Sequence, residues 1–140
     1  MVIIMLKHPL YHDLSTEEID KLKSIAKYQS YMPHDLVISI GNRSRDILCI
    51  ESGSVSVRIS DHQGNHVEVA RLKEANLIGE MNFIVPTRRT ADVLALSEVE
   101  AEILPYDKLC LLLSSEPLLA SKVFAALNRQ LSAKYKGMLG

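Results

Sequence analysis

The sequence predicts a mostly β fold with flanking helices, an α+β class. Three features carry that expectation. Short apolar runs broken by turn residues fill the middle of the chain, a helix-start signature precedes them, and a long stripe of apolar residues at helical spacing follows them. At the front, Ser15-Thr-Glu-Glu18 is a capping-box pattern, with Leu14 placed to staple the turn. Ile19, Leu22, Ile25 and Ala26 then recur at helical intervals, which predicts a helix over about 15–29.

The β zone is expected over about 31–104. Leu36–Ile40 stops at Gly41-Asn42, and Ile47–Ile50 stops at Ser52-Gly53. Val55, Val57 and Ile59 alternate with Ser56, Arg58 and Ser60, the pattern of a half-buried strand. A turn over Asp61–Asn65, with Gly64 in it, leads to Val67–Leu72 and makes the pair a hairpin. Val99, Ala101 and Ile103 alternate with Glu98, Glu100 and Glu102. Period two puts those three carboxylates on one strand face, read as solvated rather than as acid–base machinery. Strands of this length suggest a sandwich, a barrel or a jelly roll. Pro105 suits a first helical position and opens a helix over about 105–114; Ser114-Ser-Glu-Pro117 interrupts it. Leu119, Val123, Leu127, Leu131 and Tyr135 fall four apart, with Phe124, Ala126 and Met138 widening the stripe. A second helix is expected over about 116–137, ending near Gly137 and covering its own sheet or a twin helix in a dimer.

Composition narrows the function. Sixteen basic residues against seventeen acidic ones leave a formal charge of -1, without the basic surplus of a chain held to nucleic acid by phosphate neutralisation. Two cysteines, Cys49 and Cys110, sit in apolar runs and read as packed thiols; they are too few for an iron–sulfur site. The apolar start, Met1–Leu6, is too short for a signal peptide, and no stretch approaches the roughly 20 apolar residues of a membrane span. The expected location is the cytoplasm. His8 and His12, like His62 and His66, are four apart, but no further ligands accompany either pair, so no metal is expected. No nucleophile–base pairing points to an enzyme.

The informative stretch is Leu77–Ala91. Gly79 follows a short apolar strand and has no side chain to obstruct a ligand. A short helical turn can start at Glu80 and be stopped by Pro86, and exposed amides at such a start attract an anion. Arg88 and Arg89 then bring a bidentate fork suited to phosphate. Glu80 beside an anion is unfavourable unless the ligand also carries hydroxyls, a description a ribose phosphate meets. On spacing alone the alternative is a helix-start charge and two surface arginines.

Gly79-Glu80, followed nine residues later by Arg89-Thr90-Ala91, resembles the phosphate-binding cassette of the cyclic nucleotide-binding domain family. His8–Ser15 is similar to that family's entry into its first helix, and Gly41 through Val57 to its glycine-anchored strands. The resemblance covers about residues 8–137. It implies a single cyclic nucleotide-binding-like domain over 1–140: an antiparallel jelly-roll β-barrel with an N-terminal helix, a short phosphate-binding turn of helix and two C-terminal helices.

The resemblance also implies a regulatory, non-enzymatic module for a cyclic purine nucleotide, cyclic AMP ahead of cyclic GMP. Occupancy would be transmitted through the closing helices, with a hinge around Leu113–Pro117. Arg89 would pair with the cyclic phosphate and Glu80 would accept from the ribose 2′-hydroxyl. Backbone groups at Gly79, Met81 and Asn82 would reach ribose and phosphate, and Thr90 would touch phosphate or a purine edge, beside Ala91. Arg88 is expected to be solvated. Base contacts from the last helix fall near Lys134 and Tyr135. Where the family has a Gly-Asp pair before the cassette, this chain has Ala75-Asn76. Apart from the resemblance, the apolar stripe of the last helix suits a homodimer through that helix. Direct DNA binding is not expected, because the sequence stops at Gly140 before a recognition helix. The alternative is a protein-interaction or dimerisation module of the same fold that binds no nucleotide.

Overall fold

The computed structural model describes residues 8–139, with side chains described for 8–133. Its elements are α1 (Thr16–Ile25), β1 (Lys27–Tyr31), β2 (Leu36–Ile38), β3 (Ile47–Ser52), β4 (Val55–Ser60), β5 (His66–Leu72), β6 (Leu77–Ile78), α2 (Glu80–Ile84), β7 (Asp92–Ala95), β8 (Val99–Leu104), α3 (Tyr106–Ser115) and α4 (Pro117–Leu139). Among the described residues the strands form two four-stranded sheets, ordered β1-β8-β3-β6 and β2-β7-β4-β5. Every pairing is antiparallel. The roll is therefore two facing sheets, not a closed barrel.

Two apolar layers hold it together. Between the sheets lie Leu48, Ile50, Val55, Ile78, Val93, Val99 and Ile103. On the other face of the first sheet, Ile47, Cys49, Leu77 and Leu104 pack against Leu22, Leu109, Leu113, Leu119, Val123 and Leu127 of the helices. Successive strand residues point to opposite faces, so Ile47–Ile50 is buried throughout and reads as one apolar run. Both cysteines are free thiols; Cys49 is buried, and burial pushes its pKa up to about 12.

The capping box at Ser15 forms in full. Ser15 Oγ accepts from the Glu18 amide at 3.1 Å, and Glu18 Oε1 accepts from the Ser15 amide at 2.9 Å. The expected helix to residue 29 is corrected: α1 ends at Ile25, and Lys27–Tyr31 is a strand that pairs with Ile103–Val99. The apolar spacing runs on through Ala26, but pairing with a distant strand decides the conformation. The β-roll accordingly begins at Lys27, not near 31. Pro105 is the residue before α3 rather than its first turn, at φ −65° and ψ 134°. Only Glu116 separates α3 from α4, and α4 runs through Gly137 to Leu139. A single glycine costs a helix about 1 kcal/mol and need not end it.

The solvated face read for Glu98, Glu100 and Glu102 is also corrected. Glu98 and Glu100 are exposed, but Glu102 is 1% exposed. The segment His8–Tyr11 lies over that end of β8. Tyr11 donates its hydroxyl to Glu102 Oε1, Tyr28 donates to Oε2 at 3.2 Å, His8 Nε2 stands 3.3 Å from Oε1 and Lys23 Nζ 3.6 Å from Oε2. The Leu10 amide donates to His8 Nδ1, which turns Nε2 toward the carboxylate, and the His8 and Tyr11 rings stack. Burial raises the Glu102 pKa, but the pairing with His8, the Tyr11 hydrogen bond and the charge of Lys23 outweigh it and hold the carboxyl below the ordinary glutamate range. This cluster around the buried Glu102 fastens the N-terminal segment to the sheet.

Candidate functional site

The short strand β6 delivers Gly79 to the start of α2 at φ 85°, a left-handed conformation that glycine adopts without a Cβ penalty. The position also needs glycine for space. A Cβ there would overlap Arg89 Nη1 and stand 2.9 Å from its Cζ and 3.0 Å from the Asp46 carbonyl oxygen. Gly79 and Arg89, ten residues apart, are thus fitted to each other.

Arg89 is 4% exposed. Its backbone is pinned on both sides: its amide donates to Asn42 O and its carbonyl accepts from the Gly41 amide, each at 2.8 Å. Nη1 donates to Asn82 Oδ1 at 3.0 Å and to Gly79 O at 3.3 Å. Nη2 donates to Asp46 O at 2.8 Å and to Ser44 Oγ at 3.4 Å. Nε is buried with no hydrogen-bond partner among the described residues. Burial lowers the guanidinium pKa, opposed by the charges of Asp46 and Glu80. A guanidinium stays protonated through such a shift, so the site holds a buried cation.

The other cassette residues are placed around it. Glu80 is buried, at 2% exposure, within electrostatic reach of the guanidinium. The Asn82 side chain works in two directions: Oδ1 accepts from Arg89, and Nδ2 donates to Thr87 O at 2.9 Å and Thr87 Oγ1 at 3.2 Å. It folds the loop after α2 back onto the helix, whereas the sequence reading gave Asn82 only a backbone contact to ribose or phosphate. Met81 and Thr90 are exposed, Ala91 is half-buried and Arg88 is exposed. The side chains of Lys134 and Tyr135 lie outside the described residues.

A cavity of about 330 Å³ opens between the two sheets on the side of β1 and β2. Arg89 contributes to its wall, with Lys27, Gln29, Tyr31, Ser39 and Asn42 among its other lining residues. Of the seven cassette residues read from the sequence, Arg89 alone lines it; Glu80 does not. The structure therefore unites Gly79, Glu80, Asn82 and Arg89 around one guanidinium and leaves Met81 and Thr90 at the surface.

The loop before β3 supplies residues the sequence reading missed. Arg45 Nε and Nη2 donate to the Asn82 and Phe83 carbonyls, each at 2.8 Å, and Nη1 donates to Tyr106 Oη at 2.6 Å. Asp46 Oδ1 accepts from the Tyr106 amide at 2.7 Å. A charged stretch after Gly41 was the available signal, and it reads like any solvated loop. Among the described residues no cluster of three or more His, Cys, Asp or Glu could hold a metal, and no helix is long and apolar enough to cross a membrane.

The family model described as "Cyclic nucleotide-binding domain" matches residues 28–116, more than half of the chain. The Cyclic AMP receptor protein of Thermus thermophilus is 27% identical over 123 residues, which cover 88% of this chain and 57% of that protein. The chain thus spans little over half the length of that curated relative. Among solved structures, a cyclic nucleotide-binding domain from Methylobacillus flagellatus superposes with a TM-score of 0.87 at 27% identity, over 96% of this chain and 76% of its own. The regulatory subunit of a cAMP-independent protein kinase A from Trypanosoma brucei shares the fold, with a TM-score of 0.80 at 23% identity, over 99% of this chain and 50% of its own.

Proposed function

The chain belongs to the cyclic nucleotide-binding domain family, and from that premise we propose that it is a regulatory, non-enzymatic module that binds a cyclic purine nucleotide, cyclic AMP in preference to cyclic GMP, at Arg89. The observation that carries this reading is a buried guanidinium on the wall of a cavity, with its Nε unpartnered among the described residues. A buried cation with donor capacity left over is suited to an anion that enters the cavity.

In this reading Arg89 pairs with the cyclic phosphate and Glu80 accepts from the ribose 2′-hydroxyl. Backbone groups of Gly79, Met81 and Asn82 and the Thr90 hydroxyl complete the cradle beside Ala91. Lys134 and Tyr135 are the proposed base contacts. Binding is an exchange of partners, because the terminal N–H groups of Arg89 already serve Gly79, Asn82, Asp46 and Ser44. Differential affinity for two arrangements of α3 and α4 then transmits occupancy. The exposed Leu118 and Phe124 of α4 suit it to pair with a second copy.

That engagement of Arg89 within the protein also favours the second reading, an interaction module in which the guanidinium is structural. Thermal melts separate the two. Millimolar cyclic AMP should raise Tm by several degrees, and more than cyclic GMP does; no shift with either favours the interaction module.

A further inference from the structure

We propose that Arg45 is a positioning residue for the Arg89 site, and that the Arg45-Asp46 dipeptide couples that site to α3. The proposal rests on the reading of Arg89 as the anion ligand. At five residues, α2 is too short to be stable alone. Two of its orphan C-terminal carbonyls, Asn82 O and Phe83 O, are satisfied by one guanidinium, that of Arg45. A cation at this end of a helix also meets its dipole favourably.

The same guanidinium reaches α3. It stacks on the Tyr106 ring, with Cζ 4.1 Å from the ring centroid, and donates to the Tyr106 hydroxyl. Phe83 of α2 meets the Tyr106 ring edge-on at a centroid distance of 5.6 Å. Asp46, the next residue, takes the first amide of α3, where Pro105 offers no side-chain cap. Its carbonyl takes Arg89 Nη2. Two consecutive residues therefore hold α2, α3 and the Arg89 guanidinium. A ligand anion that draws Nη2 away from Asp46 O frees the peptide whose side chains fasten both helices. A lysine at position 45 would bring a point charge and could not reproduce the planar three-way fork.

The test uses cyclic AMP as the probe, with wild type, Arg45→Lys and Tyr106→Phe. Tyr106→Phe keeps the ring and removes the hydroxyl. In wild type, saturating cyclic AMP should move the Tyr106 amide resonance in the NMR spectrum. Arg45→Lys should weaken cyclic AMP binding roughly five-fold or more and suppress that movement at saturation, and Tyr106→Phe should fall between. Variants that bind as wild type does, or an Arg45→Lys protein whose Tyr106 amide still moves fully at saturation, would overturn the coupling. Wild type that binds neither cyclic nucleotide overturns the ligand reading itself. The ligand-free arm separates that failure from one of positioning: Arg45→Lys should speed hydrogen exchange at both the Val85 and Tyr106 amides, and unchanged exchange refutes the positioning role.

Discussion

Gly79→Ala tests the fit between the cassette turn and the guanidinium. The residue sits at φ 85°, where an L side chain costs about 1–2 kcal/mol. Its Cβ would also collide with Arg89 Nη1. That nitrogen is held by Gly79 O and Asn82 Oδ1, so moving it aside breaks or stretches bonds from a charged donor, each worth about 1.5–3 kcal/mol. If one of the two is lost, the total is about 2.5–5 kcal/mol. Gly41→Ala is the control: Gly41 has φ 84°, but an added methyl there would meet nothing within 4 Å, so it carries the backbone cost alone. Urea denaturation of both variants should separate them by about 2 kcal/mol at unchanged m. Adding Arg89→Ala to Gly79→Ala should remove the collision, so the double variant should lose less than the sum of the singles. Equal losses for Gly79→Ala and Gly41→Ala would mean that the Arg89 side chain does not oppose the added methyl.

Two further outcomes concern other parts of the fold. Ala75 occupies φ 67° in a turn bonded to Ile50, so Ala75→Gly should relieve strain and raise unfolding free energy by up to about 1 kcal/mol in urea melts. Glu102→Gln should cost about 2 kcal/mol at neutral pH, by loss of the charged acceptor for Tyr11 and Tyr28 and of the charge facing His8 and Lys23. Because the folded Glu102 pKa is depressed, its stabilisation is present above the ordinary glutamate range and is lost as pH falls through the folded value. The gap between wild type and Glu102→Gln should therefore hold near neutrality and close on acidification, as read from urea midpoints across pH.

Local signals were the legible part of the chain. The start of α1 follows from Ser15 and Glu18 because both capping bonds lie within one turn. The Gly79-Glu80…Arg89 spacing was legible through its resemblance to a family's cassette; the structure adds that Gly79 is required by its φ of 85° and by the close approach of Arg89. The misses are non-local. The end of α1 depends on β1 pairing with β8, more than 70 residues away at most of its paired positions, which apolar spacing through Ala26 cannot reveal. Period two puts Glu100 and Glu102 on the same face, but only the fold shows that His8–Tyr11 covers one of them. Arg45 and Asp46 look like solvated loop charges until α2 and α3 converge on them.

Titration calorimetry of cyclic AMP into wild type and Arg89→Ala asks whether the Arg89 guanidinium anchors a cyclic nucleotide, as proposed. Wild type should bind measurably and the variant should lose about 2–5 kcal/mol, the usual result of truncating one partner of a desolvated charge pair. Circular dichroism would confirm that the variant is folded. Equal cyclic AMP affinity for a folded Arg89→Ala protein and wild type would contradict the proposed anchoring.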